Sequence, residues 1–591
     1  TAIPGDQKVT LYWDHIAEES LDPISQEYDF EGYVIYRSTH PQFLDQQTIT
    51  DVNGSKFLFE PLKMFNGAPA RFDLDNDYFG MSDVVYPGRG AYYTLGDNTG
   101  LVHSYVDSNN VVNGQTYYYA VVSYDHGSSE LQIPPSECSK TITLNPTTNE
   151  LITDVNTVRV IPSSPAIGMI SGDIKDNNLI HKAGVTTGEI FLDIIDPYSL
   201  EEGNEFEITF LESPTRYSIK DLKPVEDVIS ISLSQFRQLS KSNIDINSIS
   251  VRDEGGNSYD LDYDFELITN LGKIKGLSGG NLTDGETYLV SYLYYPIINS
   301  KAVNLEETNP IVDGVKIRAK DVTLSLNEQN TKWSTSSSCT WEPKVIPFNG
   351  ADQFMYPGLY EVRFFNDIVD TSSTELHPSF GNSRMNFEVW DVTPGRIPTK
   401  EEVTIIEEGS NPDSLWSLGD RAIIMDGDPL SGKWELTFTL PDSGDTISAS
   451  EGDVFTIDTH RPFAADDTLL FTTNGTIYDN SIAKEKLDSI YVVPNPYVVT
   501  NIIEQLDLQN PMDRGPRKIY FTNLPKECTI SIYSVNGDLV KTIHHSTDMA
   551  NSQEHWDLTT KDNFPLAYGV YIFHVDAPGI GEKLGRFAVI K

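Results

Sequence analysis

The chain has 591 residues, with 87 Asp and Glu against 42 Lys and Arg, a net charge of −45. That charge repels phosphate backbones and anionic lipid surfaces, which excludes nucleic-acid binding and membrane-surface binding, and no apolar run is long enough for a membrane-spanning helix. The length exceeds what one core supports, so three to five domains are expected, and 30 Tyr with 26 Phe speak against disorder.

The dominant period along the chain is two. Lys8–Asp14, Glu31–Ser38, Thr116–Asp125, Glu205–Glu212, Tyr360–Phe365, Met385–Val392 and Lys433–Leu440 are rich in β-branched and aromatic residues and read as strands. Asn-Gly and Asp-Gly pairs, such as Asn113-Gly114, Asp284-Gly285, Asn474-Gly475 and Asn536-Gly537, supply tight hairpin turns. Helical periodicity is confined to two short stretches, Ser234–Lys241 and Thr399–Val403. The fold class is therefore all-β: several tandem Ig-like or fibronectin-type-III-like sandwiches with short linkers and little helix.

The first block covers residues 1–145. Trp13 on an early strand, "GYVIYR" on a middle strand and "NGQTYYYAVVSYD" on a late one resemble a fibronectin type III domain, of the kind found in long secreted proteins of Bacteroidota-related bacteria. The resemblance puts Trp13, Tyr36 and one of Tyr117 or Tyr119 together in one core. A long insertion, about residues 39–106, departs from the pattern. The Pro- and Thr-rich stretch Ile133–Asn156 reads as a linker. A second block, 156–344, opens with "VRVIPSSPAIG", and a third, 345–487, follows the Ser-rich "STSSSCTWEP".

The last block, 488–591, contains in order "VPNP", "IYFTNLP", "ISIYSVNGDLVKTI", "HWDLTTKD", "LAYGVYIFHV" and "GRFAVIK". These elements resemble the C-terminal sorting domain of type IX secretion substrates, and are similar to the Ig-like domain of the flagellar hook-capping protein. The resemblance implies a small sandwich read as a translocation signal by the type IX machinery, with an extracellular or cell-surface destination, and in many such proteins a sortase removes the domain. Here the sequence runs through Lys591, so a retained domain is expected, and the start at Thr1 without Met suggests a mature or trimmed product.

Chemistry-bearing motifs are few. "GDPLSGKW" (Gly427–Trp434) approaches a phosphate-binding loop, but Trp434 stands where Ser or Thr would hold Mg²⁺, and a strand follows in place of a helix; it reads as a hairpin loop. His544, His545 and His555 lie close in sequence without metal-ligand spacing around them. Cys138, Cys339 and Cys528 are far apart and odd in number, so neither a zinc ribbon nor a disulfide framework is expected. The best metal candidate is "RFDLDNDYFG": Asp73, Asp75 and Asp77 alternate, as in short loops that wrap oxygens around Ca²⁺, although Tyr78 and Val84 occupy the positions where an EF-hand needs Gly and Glu.

These observations predict a secreted, non-catalytic surface protein, structural or adhesive, that self-associates or binds other surface proteins in a layer or filament. Two alternatives stand beside it: the accessory C-terminal part of a larger secreted hydrolase, and an array of polysaccharide-binding modules.

Overall fold

The computed structural model describes all residues except 24–25, 146–149, 178, 213, 307, 349–356, 375, 377–381, 409–413, 427–430, 499–503, 505–516, 548 and 591. Strands take 47% of the chain and helices 4%, and the strand pairs are antiparallel apart from one short parallel pair near the chain end, so the fold class is all-β.

Two sheets build the first module. One orders Ala2–Gly5, Lys8–Tyr12 and Ser104–Asp107; the other orders Thr157–Val160, Tyr117–Asp125, Phe30–Ser38 and Arg71–Asp73. Side chains of successive strand residues point to opposite faces. Ile35, Tyr117 and Tyr119 therefore join Val9, Leu11 and Val160 between the sheets, with Trp13 packed against them. Tyr36, one residue on, points the other way, into a second core with Val34, Tyr118, Ala120, Phe43, Tyr93 and Leu95. The grouping of Tyr36 with Trp13 is thus corrected by strand parity. The insertion is no loop: Phe43, Tyr93 and Leu95 come from it and cover the far face of the sheet. Nor is Ile133–Asn156 a plain linker, because Ile142–Leu144 and Leu151–Thr153 form a hairpin, and Ile142 enters the second core.

Beyond Val160 the modules are nested rather than strung in line. Residues 163–167 dock on the last block: the Ser164 hydroxyl meets that of Ser552 at 2.7 Å, and the Ala166 and Ile167 amides donate to the Met549 and Leu524 carbonyls. Met169–Ile170 then pairs with Ile477–Tyr478, and Asp173–Ile174 with the strand Thr468–Asn474. Between these pairs lies a second module. Its core joins Phe206, Ile208, Phe210, Tyr217 and Ile317 to Phe463, Leu469 and Phe471 from far along the chain. Its long hairpin, Arg216–Ser230 with Thr287–Ser300, continues into a distal core around Val251, Phe265, Ile274 and Tyr292.

A third module sits inside the second. Ser325–Leu326 and Lys332–Trp333 both pair with Val454–His460, and an aromatic core gathers Tyr360, Phe364, Phe387, Trp434, Phe438 and Phe455. The division near Lys344 is therefore displaced: Lys344 lies within the strand Glu342–Pro347, paired to Ser431–Thr439 of the same module. A boundary at 344 leaves these strands without partners, and unpaired buried backbone groups are costly.

Both expected helical stretches are otherwise. Ser234–Lys241 carries the short strand Arg237–Gln238, and Thr399–Val403 begins the strand Thr399–Ile406, whose β-branched Val403 and Thr404 are paired with Ile424 and Ile423, respectively. The α-helix Asn480–Lys486 went unread. Asp479 caps it through the Ser481 and Ile482 amides, while Ala483 and Leu487, four apart, face the last core. That last module sets the sheet Tyr491–Val493, Ile519–Thr522, Glu554–Trp556 against a five-stranded one closed by Gly569–Ala577 and Gly581–Ile590.

Candidate functional site

A cleft of about 610 Å³ opens in the first module between the end of Lys8–Tyr12, the 3₁₀ turn Ile16–Glu19 and the segment Asp154–Val158. Trp13 gives the cleft a half-buried aromatic ring, backed by the buried Tyr33 and Tyr119, with the Trp13 and Tyr33 rings edge to face at 5.8 Å. These rings are held from behind. The Tyr33 hydroxyl donates to Glu18 Oε1 at 3.0 Å, and His103 Nε2 meets the same oxygen at 2.6 Å. Burial alone would raise the Glu18 carboxyl, but the bonds from His103 and Tyr33 outweigh it and hold it below its usual value. Tyr119 donates to Asp107 at 2.7 Å, and Arg37 anchors the same carboxylate at 2.8 Å. Burial first, and then the Asp107 charge, keeps the Tyr119 phenol protonated.

Two polar atoms of residues that line this cleft are buried without a partner: the Trp13 indole N–H and the Asn156 Oδ1. Asn156 Nδ2 donates to the Ser139 carbonyl at 2.7 Å, which fixes the side of the amide carrying the oxygen. A buried donor or acceptor without a partner costs about 1–3 kcal/mol. Ile16 and Val155 stand fully out at the rim, 71% and 104% exposed. The exposed Cys138 thiol lines the cleft, and no histidine lines it among the described residues.

The acidic loop is arranged differently from its sequence pattern. Asp73 is fully buried, and Asp75 and Asp77 are exposed, because alternate positions continuing from a strand diverge once the strand ends at Asp73. The Asp73 carboxylate accepts from the Asn98 amide at 2.6 Å, the Thr99 amide at 3.1 Å and the Thr99 hydroxyl at 2.6 Å. It thereby ties the loop 96–100 to the sheet. Gly96 is required there: a Cβ would lie 2.3 Å from the Asp73 carboxylate. The structure does not bring Asp73, Asp75 and Asp77 together, and no group of three or more His, Cys, Asp or Glu is placed to hold a metal among the described residues.

The histidines are not a cluster either. His545 is buried and meets Glu554 at 2.9 Å; His544, on the opposite face of the same strand, meets the Thr529 hydroxyl at 3.2 Å; His555 lies against the Tyr520 ring. Within the phosphate-loop-like stretch, 427–430 fall outside the described residues, and Ser431–Thr439 is a strand with Trp434 in the aromatic core. All three cysteines are free.

No family model matches the chain, and no curated protein matches it. Among solved structures it is distantly similar to PorZ, a bacterial surface component of the type IX secretion system of Porphyromonas gingivalis, at 12% identity over 88% of this chain and 68% of that one, with a TM-score of 0.16. It is also similar to dimeric latent PorU of the same bacterium, at 13% identity over 76% of this chain and 36% of that one, TM-score 0.12. The BSP domain of a biofilm-associated protein shares 8% identity over 99% of this chain and 90% of that one, TM-score 0.12. Overlaps this loose carry no argument about activity.

Proposed function

We propose that the chain is a secreted, non-catalytic surface protein, exported by a type IX-like route through its last module, whose nested modules form a stiff arm for structure or adhesion. One observation supports the arm above others. At the junctions of the second module with the last and with the third, the chain goes out and comes back as a hydrogen-bonded pair of strands: Met169–Ile170 with Ile477–Tyr478, Asp173–Ile174 with Asn474 and Thr473, and Ser325–Leu326 with His460 and Thr459. A paired junction resists bending and twisting in a way that a single linker does not. Electron microscopy of the native protein tests the reading. Ordered layers or filaments of full-length chains are expected; dispersed particles with freely jointed modules would remove the structural role.

A second reading, polysaccharide binding, rests on the cleft. The half-buried Trp13 ring beside one free donor and one free acceptor suits a sugar face with its hydroxyls. On a glycan panel, Trp13→Phe is expected to weaken any ligand roughly tenfold, the worth of one lost hydrogen bond. Flat binding by the unaltered protein across the panel removes this reading.

A further inference from the structure

The cluster behind the acidic loop holds two buried carboxylates, Glu31 and Asp73, both 0% exposed. Neither makes an ion pair among the described residues; the nearby Arg71 guanidinium lies instead over the Tyr93 and Tyr124 rings, 4.9 and 4.8 Å from their centroids. A chain of contacts links the cluster. Asn76 Nδ2 donates to Glu31 Oε2 at 3.1 Å, Asn98 Nδ2 donates to the Asn76 carbonyl at 3.0 Å, and the Asn98 amide donates to Asp73. Two oxygens remain buried without any partner: Glu31 Oε1 and Asn98 Oδ1. The Asn98 amide orientation is fixed by its Nδ2 contact, so its oxygen is the free end.

Unpaired charge in a protein interior is expensive, and the usual remedies are a proton or a cation. Free oxygens on a carboxylate and an amide beside a second carboxylate are the ligand set of a hard divalent ion, which prefers carboxylate and amide oxygens and is neutralised by two negative charges. We propose that Glu31, Asp73 and Asn98 form an internal site for Ca²⁺, which pins the loop 96–100 to the sheet. The site shares Asp73 with the sequence pattern but excludes the exposed Asp75 and Asp77. It is independent of the surface role proposed above.

Hydrogen exchange of the full-length chain, read by mass spectrometry on peptides covering 94–100, tests the site with Ca²⁺ alone as the probe. Raising Ca²⁺ from about 10 μM to 10 mM, spanning the affinities of extracellular calcium modules, is expected to slow these amides roughly tenfold. Glu31→Gln is expected to abolish the slowing, Asn98→Asp to move it to lower Ca²⁺, and the double change Asp75→Asn with Asp77→Asn to leave it intact. No slowing in the unaltered chain, or slowing that survives Glu31→Gln, overturns the proposal. Slowing on acidification from pH 8 to 6 without any calcium response would assign the cluster to a shared proton. Loss of the response in the double variant would move the site to the outer loop.

Discussion

If the second and third modules are joined rigidly, the residue that joins them is Arg461, and its removal has a calculable cost. Its guanidinium is nearly buried and makes four bonds: to Asp458 Oδ1 at 2.7 Å and to the carbonyls of Val185 at 2.8 Å, Thr459 at 3.0 Å and Gly358 at 3.1 Å. Val185 belongs to the second module, and Gly358 and Asp458 to the third. Breaking a buried pair generally costs about 3–5 kcal/mol, because the stranded charge is left without compensation. Here Asp458 keeps the side-chain amides of Asn327 at 2.9 Å and Asn330 at 3.1 Å. Arg461→Ala is therefore expected at the low end, about 3 kcal/mol. In domains of 150–250 residues each kcal/mol lowers the midpoint by about 2–4 °C, giving a fall of roughly 6–12 °C. Scanning calorimetry of the whole chain is the assay. The transitions of the second and third modules should fall and separate, and those of the first and last should stay in place. Arg461→Lys retains the charge but not the fork, and is expected to recover only part of the loss. A shift below about 2 °C, or an equal shift in every transition, refutes the joint as described.

Native alkylation at pH 8 is expected to label Cys138 alone, with all three thiols reacting after unfolding; the Cys528 thiol is pushed up to about 12 by burial, with Glu554 and Asp576 adding to the effect, and Cys339 is likewise raised, chiefly by burial. Two labels on the native chain would contradict the packing of the aromatic or the last core. Asp453 offers a pH test in the third module. Burial would raise its carboxyl, but the amides of Ser450 and Ser338, each at 2.9 Å, more than offset this and hold it below its ordinary 3.8. Its contribution is therefore present above pH 3.8 and fades as the pH falls through the depressed folded value. Asp453→Asn should cost the third module about 1–2 kcal/mol at pH 7, with the gap to the unaltered chain closing in acid; a gap constant down to pH 2 would contradict the assignment.

Local features of this fold are legible in the sequence, and long-range ones are not. Alternation marks Tyr360–Phe365 and Lys433–Leu440 because each has one face in the aromatic core. "GYVIY" and "YYYAVV" do not alternate, and continuous apolar runs mean burial on both faces. That signal is present for the second core of the first module; what covers it lies in an insertion whose strands are short. The nesting leaves no local trace, since Ile174 pairs with Thr473 and Leu326 with Thr459, 299 and 133 residues apart. The acidic loop shows the same limit in miniature. The spacing of Asp73, Asp75 and Asp77 is visible, but the orphan oxygens belong to Glu31 and Asn98, which only the pairing of Gly32 with Asp73 and the docking of the loop 96–100 bring near.

The Gly-rich hairpin near the chain end bears on how an export signal in this module can work. Gly581–Ile590 is not appended to the sheet but built into it. It pairs with Gly569–Ala577 over nine residue pairs on one side and with Tyr497–Val498 in parallel on the other. Phe587 and Val589 are buried beside Phe521, Trp556 and Phe573. Removing this strand would take a central row out of the core, so a receptor that reads it by pulling it free would have to unfold the module first. The same module also holds Ile167, the helix residues Ala483 and Leu487, and through Tyr520 the Gly114 carbonyl of the first module at 3.0 Å. On the proposed route, the readable signal is therefore the folded surface of the last module, and the feature that carries recognition is the same one that fixes the base of the arm.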